Sequence, residues 1–222
     1  MNISYIVILS IIVSSSIIVG ILGLQYYYAN NVYSSLKYEV EHVVMLYKSI
    51  VNVISLNVGG SFPVRLSFGK LSLFDDGFIL IDFNDRCLFA AMNYIVNYAC
   101  KMNLYGSEET LISHGSLNDF SFQIFGIGNN IFLRFKPLVK MSEGKIFISC
   151  VVLYKSKLGV IVDGTLNVNS EVEYLKYTFS PMQGGTYFLR VTYGSSTDEF
   201  SVYASPENPI TIIIKVLKVR WG

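Results

Sequence analysis

Hydrophobic positions divide the chain into two parts with different periodicities. From residue 3 to residue 24 every side chain is apolar, glycine, serine or tyrosine, and the first charged side chain is Lys37. As a helix rising 1.5 Å per residue, this run is about 33 Å long, enough to cross a bilayer core of about 30 Å. It therefore predicts a membrane-spanning helix, represented by Ile3, Ile6, Ile11, Ile17, Ile21 and Leu24.

Two other interpretations of the run are a cleaved signal peptide and the buried helix of a soluble protein. Ser14-Ser15-Ser16 resembles a small-residue cleavage site, but no Lys or Arg precedes the run and no A-x-A site follows it. For orientation, Lys37 alone favours a cytoplasmic C-terminal part. The region beyond residue 60 is rich in Tyr, Phe, Ser, Asn and β-branched residues, and on that composition we expect it to be extracellular.

After Leu24 the apolar residues continue at alternating steps of three and four, which places them on one face of a helix. Neither Pro nor Gly interrupts residues 24–58, and Gly59-Gly60 supplies a stop signal, so the helix is expected over residues 1–58. Further apolar residues widen this face, which indicates packing on the β region as well, and a linker in a coiled-coil homodimer is the alternative. The stripe predicted for helix packing is Leu36, Val40, Val43, Tyr47, Ile50 and Ile54.

Beyond Gly60 the pattern changes to short alternating runs of Phe, Tyr, Ile and Val, separated by Gly, Asn, Asp and Pro. This pattern is typical of an all-β sandwich or barrel. Asp75-Asp76-Gly77 is interpreted as a hairpin turn, and residues 87–102 are ambiguous between helix and strand. Strands are expected at residues 62–68, 70–73, 78–83, 120–125, 131–139, 145–154, 160–162, 165–168, 172–179, 186–193, 200–203 and 210–219.

A weak break near residues 140–144 separates two predicted β regions, 61–140 and 144–222. The fold class is α+β: a long N-terminal transmembrane and amphipathic helix, then an all-β region that is antiparallel and sandwich-like. The run around Tyr187 looks like a late strand of immunoglobulin-like sandwiches, in which a Tyr hydroxyl bonds back to the main chain.

Composition narrows the functional classes. The 222 residues are 52% hydrophobic and 15% charged, and the net charge of +1 gives no electrostatic reason to expect nucleic acid as a partner. The abundance of aromatic and β-branched residues excludes intrinsic disorder. A membrane protein with a folded β domain agrees with both observations.

Candidate chemistry is sparse. Three cysteines leave at least one unpaired within the chain; Cys87 and Cys100 could form a disulfide outside the cell, and buried thiols are the alternative. The cluster Asp82, Asn84 and Asp85 has the oxygen ligands that Ca²⁺ prefers, but it lacks the Gly and the distal Glu of an EF-hand loop. No motif for zinc, phosphate binding or nucleophilic catalysis occurs, so we expect no metal, no cofactor and no enzymatic activity.

The layout of an uncharged span that continues into an amphipathic helix, followed by Gly-Gly and a β domain, resembles the type IV pilin-like proteins of archaea. That resemblance implies a cell-surface filament or secretion-type complex, with the membrane and other pilin-like subunits, or the chain itself, as partners. Family precursors carry Lys or Arg and then a cleavage-site Gly before the span, whereas this chain opens Met1-Asn2-Ile3-Ser4. The expectation is therefore a permanently anchored accessory or minor subunit.

Three functional hypotheses follow. The leading one is a single-pass structural or assembly protein of the cell membrane, with an extracellular β head for protein contacts. The alternative is a membrane-tethered β-sandwich that binds a glycan or peptide. A tethered enzyme is the third, and a viral envelope protein of the same topology is an additional alternative.

Overall fold

A computed structural model of the chain describes residues 3–155 and 159–222, with the backbone alone for residues 3–9 and 155. One long helix precedes strands in two sheets, which confirms the α+β class. The chain forms two compact units, Met1–His42 and Val43–Gly222. The second, which contains the described strands, is called the β unit here.

Helix α1 (Ile3–Ser55) is uninterrupted, as expected for a segment without Pro. The sequence predicts a stop at Gly59-Gly60, but the helix ends earlier, at Ser55, and Asn57 just after it adopts a left-handed conformation with φ of 51°. The Asn57 N–H donates to the Ile54 carbonyl at 3.0 Å, and the Val58 N–H donates to the Val53 carbonyl at 3.2 Å. This pair of bonds is the Schellman arrangement, in which Asn can replace Gly.

Sheet A has the strand order β1, β10, β13, β8, β7. Its strands are β1 (Gly60–Arg65), β7 (Leu138–Ser142), β8 (Lys145–Lys155), β10 (Asp163–Phe179) and β13 (Ile210–Trp221). Sheet B has the order β12, β11, β2, β3, β6, β5, β4, and β9 also pairs with β2. Its strands are β2 (Gly69–Phe83), β3 (Arg86–Cys100), β4 (Thr110–Ser116), β5 (Ser121–Ile127), β6 (Asn130–Lys136), β9 (Val160–Ile161), β11 (Gly185–Tyr193) and β12 (Ser196–Ala204).

The two β regions expected from the sequence, 61–140 and 144–222, are interleaved. In sheet A, β1 pairs with β10, and in sheet B, β2 pairs with β11. Each sheet therefore takes strands from both sides of residues 140–144, and residues 43–222 form one compact unit.

Pairing departs from the antiparallel expectation at one place. Strands β13 and β8 run parallel, from Thr211 opposite Lys145 to Trp221 opposite Lys155. The other strand pairs among the described residues are antiparallel. The corner contact expected of Tyr187 is present, because its hydroxyl donates to the Gln183 carbonyl at 3.2 Å.

Residues 87–102, ambiguous in the sequence, form most of β3, which pairs with β2 in a long hairpin. Its turn is Asn84-Asp85, with φ of 49° and 61°, as a two-residue type I′ turn requires. The turn expected at Asp75-Asp76-Gly77 is wrong, since these residues lie inside β2 and shift its register as a bulge. Gly77 has φ of 91°, and its N–H donates to Asp75 Oδ1 at 2.9 Å.

Asp76 in that bulge ties together three strands of sheet B. Arg134 of β6 donates two hydrogen bonds of 3.0 Å to its carboxylate, and Asn93 of β3 donates a third at 3.2 Å. The Arg134 guanidinium also lies 4.7 Å from the centre of the Phe125 ring. A bidentate, partly buried pair of this kind fixes geometry better than an exposed ion pair does.

One hydrophobic core lies between the two sheets. Alternate residues of β8 and β13 in sheet A meet alternate residues of β2 and β11 in sheet B, as expected when two sheets pack face to face. The buried members are Ile79, Ile81, Phe83, Ile146, Ile148, Cys150, Val152, Leu189, Val191, Ala204, Ile210, Ile212, Ile214 and Val216.

One face of the part of α1 inside the β unit is also buried. Val43, Tyr47, Ile50 and Ile54 are 0% exposed. The Tyr47 hydroxyl donates to the Ile131 carbonyl of β6 at 3.0 Å. Sheet B therefore contacts the helix, and burial raises the pKa of Tyr47 well above its usual value.

Replacing Tyr47 with Phe should lower the free energy of unfolding by about 1 to 2 kcal/mol, because a buried hydrogen bond to the main chain is lost. The matched control is Tyr38→Phe in the same helix, where the side chain is exposed. Chemical unfolding of both variants in detergent micelles measures the difference. Equal stability of the two variants would contradict this account.

Candidate functional site

The residues predicted to span the membrane lie in the first half of α1. Ile3 and Ile6 belong to the helix backbone, but their side chains lie outside the described residues. The other four predicted residues, Ile11, Ile17, Ile21 and Leu24, are all more than half exposed. Residues 10–32, called the anchor segment here, carry exposed side chains throughout. The helix is long and apolar enough to cross a membrane.

A feature that the sequence reasoning missed is a tyrosine cluster at the end of the apolar run. Tyr26, Tyr27 and Tyr28 are 77%, 61% and 65% exposed. Consecutive helical residues are about 100° apart, so the three rings spread around the helix. Tyrosine is enriched where a membrane meets water, because its ring is apolar and its hydroxyl is polar. The three consecutive tyrosines in the sequence could have indicated this cluster.

The stripe predicted for packing against other helices is occupied by the chain itself. Its members Val43, Tyr47, Ile50 and Ile54 are buried in the β unit. Leu36 is also buried, and Val40 is half-buried. For the four residues in the β unit, the expected packing on the β region is confirmed, and the expectation that they meet another subunit is corrected. A spacing of three and four identifies the buried face of a helix, but it does not tell whether a sheet or a second helix covers that face.

The disulfide suggested between Cys87 and Cys100 does not form. Both cysteines are free, and so is Cys150. Cys87 and Cys100 lie at opposite ends of β3, so at about 3.3 Å per residue they are about 40 Å apart. A disulfide joins Cα atoms separated by only about 5.5 Å. Spacing along the chain gave no indication that one extended strand holds both residues.

The cluster Asp82, Asn84 and Asp85 is organised around an arginine. Arg190 donates to Asp85 Oδ1 at 3.2 Å and to Glu199 Oε2 at 2.6 Å, so the positive charge beside these oxygens comes from the protein. Among residues 3–155 and 159–222, no group of three or more His, Cys, Asp or Glu could hold a metal ion. Asn84 and Asp85 form the β2–β3 turn.

A cavity of about 200 Å³ lies beside that turn. It is bounded by the end of the β2–β3 hairpin, the end of β10 and the start of β13, and it is lined mainly by apolar and aromatic side chains. Its lining includes Phe83, Arg86, Leu88, Tyr177, Phe179 and Ile212. The Tyr177 hydroxyl donates to the Leu88 carbonyl at 2.7 Å, which fixes one wall.

No protein-family model, curated protein or solved structure matches this chain. Function must therefore be inferred from the anchor segment, the β unit and the cavity. The first two can place a β domain at a membrane, and the third can bind a small group with an apolar body.

The three thiols differ in reactivity. Burial raises the pKa of Cys150 to about 12, so this group stays protonated at neutral pH. Cys87 is exposed; its pKa is raised by desolvation and by the neighbouring Asp82 carboxylate. Because the thiolate is the nucleophile, a raised pKa slows alkylation at neutral pH.

In the folded protein, maleimide should modify Cys87 first, and the rate should rise between about pH 7 and pH 9 as the thiolate forms. Asp82→Asn should accelerate the reaction at the lower pH, because it removes a charge that raises the pKa of Cys87. Asp85→Asn is the matched control. Mass spectrometry measures both rates, and equal acceleration by the two variants would contradict the role of Asp82.

Proposed function

We propose that this chain is a membrane-anchored, pilin-like structural or assembly subunit, with its β unit on the extracellular side making protein contacts. One observation carries the proposal: the anchor segment is an uncharged helix whose many apolar side chains are exposed along its length. Ile11, Ile12, Val13, Ile17 and Ile18 are all exposed. Such a surface is stable when lipid or other apolar helices cover it.

The tyrosine cluster supports a bilayer as the covering medium. Between Tyr5 and Tyr26 lie 21 helical steps, or about 32 Å, which matches the hydrocarbon thickness. Tyr26, Tyr27 and Tyr28 would then lie at the membrane surface, where their hydroxyl groups reach water. The charged residues of α1, beginning at Lys37, would all lie beyond that surface.

The difference in exposure between the two parts of α1 supports a pilin-like assembly role. The face formed by Val43, Tyr47, Ile50 and Ile54 is already buried in the β unit, so it offers no surface to a partner. The anchor segment keeps its apolar side chains exposed and can pack against anchor segments of other subunits, either copies of this chain or related proteins. Helix association within a membrane uses van der Waals packing of such surfaces.

Introducing charge at the middle of the anchor segment should release the protein from membranes. The variant Val13→Arg/Ile17→Arg adds about 3 kcal/mol of insertion cost at each position. Tyr38→Arg, exposed in the same helix outside the apolar run, is the matched control. We expect the control to stay in membranes washed with alkaline carbonate and the double variant to appear in the wash or in aggregates.

Recovery of the wild-type protein in the carbonate wash would refute a membrane span.

Intact mass tests the signal-peptide interpretation, because loss of residues 1–24 would leave a secreted β domain. If the protein forms filaments, the fraction sheared from cells should contain subunits that retain the apolar segment. A discrete small oligomer confined to membranes would instead support an accessory subunit.

Orientation can be tested at Cys87, the exposed cysteine in the described part of the β unit. A membrane-impermeant maleimide should label it in intact cells if the β unit is extracellular. The Cys87→Ser variant controls for other reactive groups. Labelling only after lysis would place the β unit in the cytoplasm and overturn the extracellular assignment.

A further inference from the structure

The cavity beside the β2–β3 turn combines an apolar interior with one cation at its rim. Phe83 and Ile212 are 4% and 1% exposed, and they line its inner part. The rings of Phe83 and Phe179 pack edge to face with centres 5.1 Å apart. An interior of this composition favours an apolar or aromatic group over a sugar or an inorganic ion.

Arg86 supplies the cation, and the hairpin fixes its position. It lies directly opposite Phe83 across the two-residue turn, so both side chains project from the same face. Both line the cavity. The left-handed conformations of Asn84 and Asp85 make this a tight turn, which holds Arg86 at the rim next to the aromatic interior.

Arg86 forms no ion pair with the described residues, whereas Arg65, Arg134 and Arg190 each have a carboxylate partner. Asp85, its neighbour in the chain, is ion-paired with Arg190 at 3.2 Å. An anion at the rim would therefore meet a guanidinium that no carboxylate of the described side chains already pairs with. Guanidinium groups bind carboxylates through paired, charge-assisted hydrogen bonds.

From this arrangement we infer that the cavity binds an aromatic carboxylate, with the ring against Phe83 and Phe179 and the carboxylate on Arg86. The volume of about 200 Å³ is below the roughly 300 to 1,000 Å³ typical of drug-sized ligands, so one ring and a short acid fit it. Two sources share this chemistry: a free aromatic acid and the C-terminal aromatic residue of a peptide. The site is independent of the membrane anchor.

The test uses the full chain in non-ionic detergent micelles and follows two fluorinated probes by fluorine NMR. N-acetyl-para-fluorophenylalanine mimics a peptide C-terminus, and para-fluorophenylpropionate represents a free acid. We expect saturable binding with Kd of about 1 mM, a value suited to a small ligand. Tighter binding of the first probe indicates a peptide, and equal or tighter binding of the second indicates a free acid.

Arg86→Gln should weaken binding of either probe at least about tenfold, since it removes a charge-assisted hydrogen-bond partner. Arg65→Gln, an exposed arginine on β1, is the matched control and should bind as the wild type does. The amide of the first probe, which lacks the carboxylate, should also bind at least about tenfold more weakly. Comparing the same probe between the wild type, Arg86→Gln and Arg65→Gln also removes the contribution from partition of that probe into micelles.

Leu88→Phe adds volume at the cavity wall and should abolish binding while the protein stays folded, as judged by its thermal unfolding midpoint. Equal affinity of the wild type and Arg86→Gln would overturn the inference. So would the absence of saturable binding up to about 10 mM. Neither result would affect the membrane-extraction test, so failure of this site and failure of the proposed function are distinguishable.

Discussion

Burial of one helix face, formed by Val43, Tyr47, Ile50 and Ile54, is the constraint on which the β unit depends. Fully burying a side chain of this size contributes about 1.5 to 3 kcal/mol, so the four together matter against a typical net stability of about 5 to 15 kcal/mol. Sheet B must supply an apolar face to the helix, and the carbonyl of Ile131 must lie within reach of the Tyr47 hydroxyl. The placement of β6 beside the helix satisfies this requirement.

Two strands of sheet A bury apolar side chains on one face and also present residues on the other. Strands β8 and β13 bury Ile146, Ile148, Ile212 and Ile214 against sheet B. Since successive side chains of a strand point to opposite faces, the strands that close the core between the sheets also present residues to the opposite side. A strand that is buried on both faces has apolar residues at nearly every position, as the stretch Ile210–Trp221 does.

Sequence reasoning predicted those features that local patterns determine. The uncharged run and the absence of Pro sufficed for α1, and alternation sufficed for most strands. It failed where partners lie far apart in the chain: the parallel pairing of β13 with β8, and the mixing of both β regions in each sheet. For the helix stripe it correctly expected packing on the β region, but it also assigned the same buried residues to contacts with other helices. It also preferred Gly59-Gly60 to Asn57 as the stop, because glycine dominates left-handed helix ends. The cavity could not be predicted, since its walls come from β2, β3, β10 and β13.

Strand β13 occupies the middle of sheet A, between β10 and β8, yet it is the last of the described strands to be synthesised. Until β13 is synthesised, β10 and β8 lack the strand that pairs with both of them, and their apolar side chains are not fully buried. Non-local pairing of this kind slows folding and leaves intermediates with open strand edges. A nascent chain held at a membrane by its first helix would be exposed in that state, so its β unit should need protection from aggregation during biogenesis.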